Sequence, residues 1–461
     1  MTGLAIRTFH AAYADDPGFR GLLARHWPLL VTLLVAAGYT ATLTLLHTWS
    51  VSPIDEVVYI DYLDKLWRQG VIHDGEYLGE LARNLYACHG VIPFGRMGPV
   101  CGTDLGDPSD FPFGGFSSGA GYPPVQFWIV RVVGDALGLI PGVGQLAGWR
   151  LVGTLWLAGG LVFCYLISRL LRVTGWAFVA VALAIVASPL GYWSFSFVST
   201  DAPMFFLGAL LLWLAMRHAR GARSGWWLVA VSALGATFKP TIIVAVGLVL
   251  VYLVLHWALA PHGSGRGVRG AQRVRSLLRQ LWPPLLSIVA AMAVQFAWRR
   301  IQTMLQVPSE TTSPGQGVEV PLSLDLIGNQ FTSFLGGTIR MVVPEAEGVT
   351  SAFIPLGWLV IAGVVGAVLL LPRVSPDRAL SISVLVAFIV AAPVLTLALV
   401  LATGGIFPLP PRYGIALVPG MLAVTVPLLR NRWAVRALLV YGVLLMAAWI
   451  AISVVFARWF A

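Results

Sequence analysis

The stretch "WWLVAVSALGATFKPTIIVAVGLVLVYLVLHWALA", Trp226 to Ala260, decides how this chain must fold. An apolar helix needs roughly 20 residues to cross a lipid core of ~30 Å. The stretch is too long for one crossing and short for two, and Lys239-Pro240 stands in its middle. Charge resolves the ambiguity. Arg217, Arg220 and Arg223 precede it; Arg266, Arg269, Arg273, Arg275 and Arg279 follow it. Arginine-rich loops stay on the cytoplasmic side, so an even number of crossings separates the two clusters. Two short helices meeting at Lys239-Pro240 satisfy that condition, and the chain reads as an all-α polytopic membrane protein.

The rest of the sequence fits that class. Of its residues 58% are hydrophobic and 11% charged, against about a quarter charged in soluble domains. Mean hydropathy is +0.82. Segments apolar enough to cross fall at 27–47, 148–168, 174–193, 203–216, 226–239, 241–260, 281–299, 353–371, 379–401, 413–429 and 435–457. With the N-terminus inside, the inner segments gather Arg7, Arg20, Arg25, Arg169, Arg172, the arginines named above, Arg373, Arg378, Arg430, Arg432 and Arg436. They hold only three acids, Asp15, Asp16 and Asp377. The net charge of +10 is therefore read as cytoplasmic loop charge rather than as a nucleic-acid footprint. The expected protein makes about eleven crossings of the inner (plasma) membrane, with its N-terminus cytoplasmic and its C-terminus outside.

The segment 124–140, "PVQFWIVRVVGDALGLI", is short and carries Arg131 and Asp135. Counting it would invert every later loop, so it is expected to be an amphipathic helix on the outer surface. The first apolar run is too long for a signal-peptide core. The division that follows is a cytoplasmic N-terminus (1–26), a first membrane helix (27–49), an outer loop (50–147), a membrane block (148–299), a second outer loop (300–352) and a last membrane block (353–461). Cys88 and Cys101 fall in the first outer loop, on the oxidising side, which suggests a disulfide; unpaired buried cysteines are the alternative. The glycine-rich 263–270 run has no Walker lysine and reads as a cytoplasmic linker.

Ionisable residues bordering spans are costly, and functional hypotheses start from them. Asp55-Glu56 follows the first span and opens a run with Val57, Ile60, Leu63 and Leu66 on one face, the pattern of a helix resting in the interface. The pair can also be read as favouring that helix's N-terminus. Asp201 stands at an outer helix end, where it can serve as an N-cap beside Pro203. Lys239 marks the outer apex of the paired short helices, Arg412 begins a span, and Arg340 lies in the second loop near the amphipathic run "LIGNQFTSFLGGTIRMV". Lysines and arginines there can simply snorkel to headgroups. Together, however, acids and bases converge on one outer face. Cations suit a lipid phosphate, and a carboxylate suits removal of a hydroxyl proton.

With those residues in view, the sequence resembles the GT-C superfamily of polytopic glycosyltransferases, which includes protein O-mannosyltransferases and bacterial aminoarabinose transferases. The resemblance rests on Pro53-Ile54-Asp55-Glu56 with Tyr59, on Tyr122-Pro123-Pro124, on Asp201 followed by Lys239-Pro240-Thr241, and on Arg412-Tyr413 with Pro419. It runs from about residue 27 to 430. It departs from the family pattern where Ile54 intervenes before the acidic pair, where a histidine after that pair is absent, and through residues 71–120. The resemblance implies an enzyme that transfers a sugar from a polyprenyl-phosphate donor to an acceptor hydroxyl on the outer face, with inversion. Asp55 is the implied base and Glu56 its support. Asp201, Tyr59 and Tyr122 line the acceptor cavity, while Lys239, Arg412 and Arg340 hold the donor phosphate. The implied partners are a lipid-linked sugar, a glycan, glycolipid or protein acceptor, and membrane lipids.

No histidine has metal-ligand spacing, although some relatives use a divalent ion beside the acidic motif. His73, Asp74 and Glu76 read as solvated surface. Two other readings remain open at this stage. A transporter or flippase expects mid-span charges and two similar halves. An O-antigen ligase-like enzyme concentrates function in a late large loop, whereas here the largest loop comes first.

Overall fold

The computed structural model describes residues 19–47, 49–173, 175–260, 270–307, 323–341, 351–370, 376–403 and 409–459. Among them no strand forms, only isolated bridges between Val51 and Val91, Tyr77 and Phe116, and Val91 and Gly95. Among the described residues nine helices are long and apolar enough to cross a membrane, and the pair Trp176–Val186 and Pro189–Phe195, bent by 69°, is so when taken together. The break has a local cause. Ser188 Oγ accepts from Gly191 N, and Pro189, with no N–H to give, starts the new helix. The remaining apolar segment is the helix Gly225–Ala236 of 12 residues. The chain is a multi-pass membrane protein.

The deciding stretch folds as two helices. Gly225–Ala236 ends before Pro240, whose ring disfavours helix at the residue before it, and Ile242–Leu259 leads away. Twelve residues rise about 18 Å, so the turn at Lys239 is recessed relative to a ~30 Å core. Gly270–Leu305, by contrast, has 36 residues and rises about 54 Å. Its far end holds the first loop. Trp298 Nε1 donates to Ala120 O at 3.1 Å and Gln302 Nε2 to Ile72 O at 3.0 Å, while Gln302 Oε1 accepts from Asp74 N at 3.2 Å.

That loop is a packed cap with its own small core. Val57, Ile60, Leu63 and Leu66 of helix Glu56–Gln69 are buried as their spacing predicts. Tyr62 stacks on Phe127 of helix Val125–Gly138 with centroids 4.0 Å apart. The expectation of a helix lying in the lipid interface needs correction, because Asp61 and Lys65 are buried as well. Segment 76–79 covers their face: Gly79 N donates to Asp61 Oδ1 at 2.7 Å and Lys65 Nζ to Tyr77 O at 2.6 Å. Burial pushes the Asp61 carboxyl up despite Lys65.

The 14-residue helix Val125–Gly138 rises only about 21 Å, too little to span. Its Asp135 accepts from Trp149 Nε1 at 2.8 Å, which fastens it to helix Gln145–Leu170. Cys88 and Cys101 are joined by a disulfide, and Cys164 is a buried free thiol. Helix Leu324–Arg340, capped by Ser323, forms from the second amphipathic run. The basic 263–269 linker and most of the rest of the second outer loop, 308–322 and 342–350, lie outside the described residues.

Candidate active site

Helix Glu56–Gln69 begins with Asp55 in the left-handed region, φ 58° and ψ 8°, and without a side-chain cap bond. Its carboxylate is therefore turned away from the helix end. Oδ2 accepts from Arg412 Nη2 at 2.5 Å and from the Tyr59 hydroxyl at 3.4 Å. The Arg412 Nε stands 3.6 Å from Asp201 Oδ2, and Asp201 Oδ1 accepts from Lys239 Nζ at 2.6 Å. Four charges alternate in a chain: Asp55, Arg412, Asp201, Lys239. Tyr413 lies beneath both cations, with Lys239 Nζ 4.7 Å and the Arg412 guanidinium 5.7 Å from its ring centroid. Arg412 reaches this position because segment Pro411–Leu417 runs hard against helix Leu324–Arg340. Thr338 Oγ1 donates to Pro411 O at 2.8 Å, and a Cβ on Gly414 would collide with that same hydroxyl.

Exposure separates the carboxylates. The Asp55 side chain is 32% exposed, against 1% for Asp201 and 0% for Glu56. Of the three, Asp55 has the solvent-accessible carboxylate. It lies with Arg412 on the floor of a cavity of about 300 Å³, walled by Tyr86, Phe113, Phe116 and Ser118. The Tyr59 hydroxyl bridges to Thr200 Oγ1 at 3.0 Å and Tyr122 OH at 3.3 Å. Burial, reinforced by the neighbouring phenol and Asp55, holds Tyr59 well above the usual phenol range, and burial with Asp55 does the same for Tyr122. Both stay protonated; the Tyr59 hydroxyl donates toward Asp55 and Tyr122, and the Tyr122 hydroxyl accepts from it. Tyr86 is pushed up to about 12, by burial first and the Asp55 charge second. A second, polar cavity of about 380 Å³ includes Gly121 and Pro240, the chain neighbours of Tyr122 and Lys239, with Trp298 and Arg299.

Three of the expected site residues are bound up elsewhere. Glu56, expected as the support of Asp55, is fully buried. Its oxygens are taken by Arg150 Nε at 2.8 Å and Nη2 at 3.1 Å, by Val198 N at 2.9 Å and by Ser52 N at 2.7 Å. Lys239 is 2% exposed and spent on Asp201, so it stands one step behind the cavity. Arg340 is not brought into the chain of charges: its stem lies against Gly357 of helix Ile354–Leu370. Among the described residues its Nε is buried with no hydrogen-bond partner.

Arg150 escaped the sequence reading, although a fully buried arginine inside an apolar span is the signal that should mark it. Thr200 and the aromatic wall had no such signal. Among the described residues no group of three His, Cys, Asp or Glu side chains is placed to hold a metal ion.

An apolar helical bundle with a charged pocket under a folded cap defines the class: an all-α, multi-pass membrane protein. No protein-family profile matches the chain, and no curated protein matches its sequence. Among solved structures it is similar to ArnT from Cupriavidus metallidurans bound to undecaprenyl phosphate. The identity is 15% and the TM-score 0.48, over 92% of this chain and 63% of that one. It is also similar to the Archaeoglobus fulgidus oligosaccharyltransferase tethered with an acceptor peptide containing the NVT sequon. Here the identity is 14% and the TM-score 0.41, over 95% of this chain and 56% of that one. The chain thus spans less than two thirds of the length of these two structures.

Proposed function

We propose that the chain is a membrane glycosyltransferase that moves a sugar from a polyprenyl phosphate to an acceptor hydroxyl on the outer face of the inner membrane. The observation that carries this reading is the half-open Asp55 carboxylate held on Arg412 at the floor of a cavity. The bundle beneath suits a lipid tail, the guanidinium suits its phosphate, and the carboxylate suits proton removal from a hydroxyl.

In this mechanism a donor phosphate competes for Arg412, whose five N–H donors allow it to hold both groups. The Asp55 oxygen so released accepts the proton of the acceptor hydroxyl as that oxygen attacks the anomeric carbon. The bond from that carbon to the phosphate oxygen breaks on the opposite side, its electron pair goes to the phosphate, and the configuration inverts. Arg412 stabilises the departing polyprenyl phosphate. Asp201 and Lys239 fix the guanidinium from behind, and Tyr59 steadies Asp55. The acceptor is a glycan, glycolipid or protein hydroxyl.

The test is Asp55→Asn in the full chain, assayed for transfer of labelled sugar from a polyprenyl-phosphate donor. Removal of a positioned base costs roughly 10² to 10⁴ in rate, and that loss is expected with assembly unchanged. A rate within about threefold of the parent, well inside that range, overturns the assignment.

A further inference from the structure

The wall of the Asp55 cavity holds one aromatic residue in a costly conformation. Phe113 sits at φ 60°, ψ 29°, where a bulky side chain is an outlier. Folding gives it little in return, because it is 65% exposed. The turn that follows it is tightly held. A Cβ on Gly115 would collide with the Pro108 carbonyl, so the chain passes that point only as glycine at φ 70°. Leu78 N donates to Gly115 O at 2.7 Å, and Tyr77 stacks on Phe116 with centroids 4.5 Å apart. The 112–116 turn is thus clamped to 77–78, and Phe113 is carried to the lining of the cavity whose floor is Asp55 and Arg412.

Strain over-determined by its surroundings and kept at a pocket points to a ligand. The lining is apolar through Val57, Pro112, Phe113 and Phe116, and polar through Ser52, Ser118, the phenols of Tyr86 and Tyr413, and the charged Asp55, Glu56 and Arg412. That division suits a molecule with one apolar face and a polar rim, which is the form of a sugar ring. We infer that Phe113 is a saccharide-stacking residue: its ring takes the C–H face of a sugar whose hydroxyls turn to Asp55, Arg412 and the serines. The inference rests on the reading of this cavity as a sugar-transfer site.

The test reads binding rather than transfer, so it stands apart from the fate of Asp55 as a base. The full chain is placed in lipid nanodiscs free of glycoside detergent. Three probes are titrated: polyprenyl-phosphate mannose, polyprenyl phosphate, and methyl mannoside. Phe113→Gly relieves the backbone and removes the ring, so its thermal midpoint is expected to stay or rise.

If the stacked ring is the donor's, affinity for the sugared lipid falls about tenfold while affinity for the bare phosphate lipid stays. If it is the acceptor's, both lipids hold and methyl mannoside weakens by a similar factor. Phe113→Trp restores either loss. Unchanged affinity for all three probes, or absence of saccharide binding by the parent chain, overturns the inference. So does an affinity loss that follows a fall in thermal midpoint and is not rescued by Trp.

Discussion

Asp55 is set apart from the other acids by its backbone. Aspartate tolerates the left-handed region better than most residues, and at φ 58° it turns its carboxylate off the helix end and onto Arg412. A second residue in the cap couples stability to pH. His89 stacks on Trp49 at 5.5 Å, and burial, then Arg96, lowers its pKa from 6.5. A histidine depressed in the folded state is neutral there and takes up a proton more readily when unfolded. Its contribution is therefore complete above pH 6.5 and declines as pH falls below that value. Thermal midpoints of the purified protein should drop between pH 7 and pH 5, and His89→Gln should flatten that slope. An equal slope in the variant would assign the effect to other groups. None of this was legible from the sequence, where His89 had no periodic or charged partner to mark it.

At the scale of elements, the cap is tied to the bundle through Glu56 and Arg150. One carboxylate joins the 50–52 segment, helix Gln145–Leu170 and the 196–198 segment that leads to Thr200 and Asp201; Arg150 Nη2 also donates to Ser50 O at 2.7 Å. Removing one member of a fully buried pair strands the other charge, at a cost of about 3–5 kcal/mol, whereas neutralising both costs far less. Arg150→Met should lower the denaturation midpoint sharply, and adding Glu56→Gln should recover at least half of the loss. A single variant as stable as the parent would show that the two backbone amides suffice for Glu56. The sequence pattern exposed the helical face of Val57, Ile60, Leu63 and Leu66 because period carries that information. It could not expose the burial of Asp61 and Lys65, since the segment covering them has no period. The packing of Arg340 is hidden for a related reason: its helix is readable, but the side chain's direction depends on the space left by Gly357.

For the whole molecule, the contact that builds the site joins residues 357 positions apart, and no local pattern encodes it. Residue chemistry pointed to it instead, because charges at the ends of apolar spans must find partners. The arrangement also depends on how Trp226–Ala260 crosses the membrane, and parity tests that. Six helical passes separate Arg223 from Asn431 if Gly225–Ala236 and Ile242–Leu259 run as a pair, which puts both positions on one side. If the stretch crossed once, the count would be odd and the positions would face opposite sides. Three passes, the bent pair included, separate Asp104 from Arg223 and put them on opposite sides. Cys88 and Cys101 are bonded, so replacing Cys164 by Ser leaves no native free thiol for a membrane-impermeant maleimide. In that background Asp104→Cys should label on intact cells, while Arg223→Cys and Asn431→Cys should label only after permeabilisation. The arginine-rich side is then cytoplasmic and the Asp55 cavity opens outward. Labelling of Asn431→Cys without permeabilisation would break the pairing at Lys239-Pro240, and with it the geometry that sets Lys239 behind Asp201.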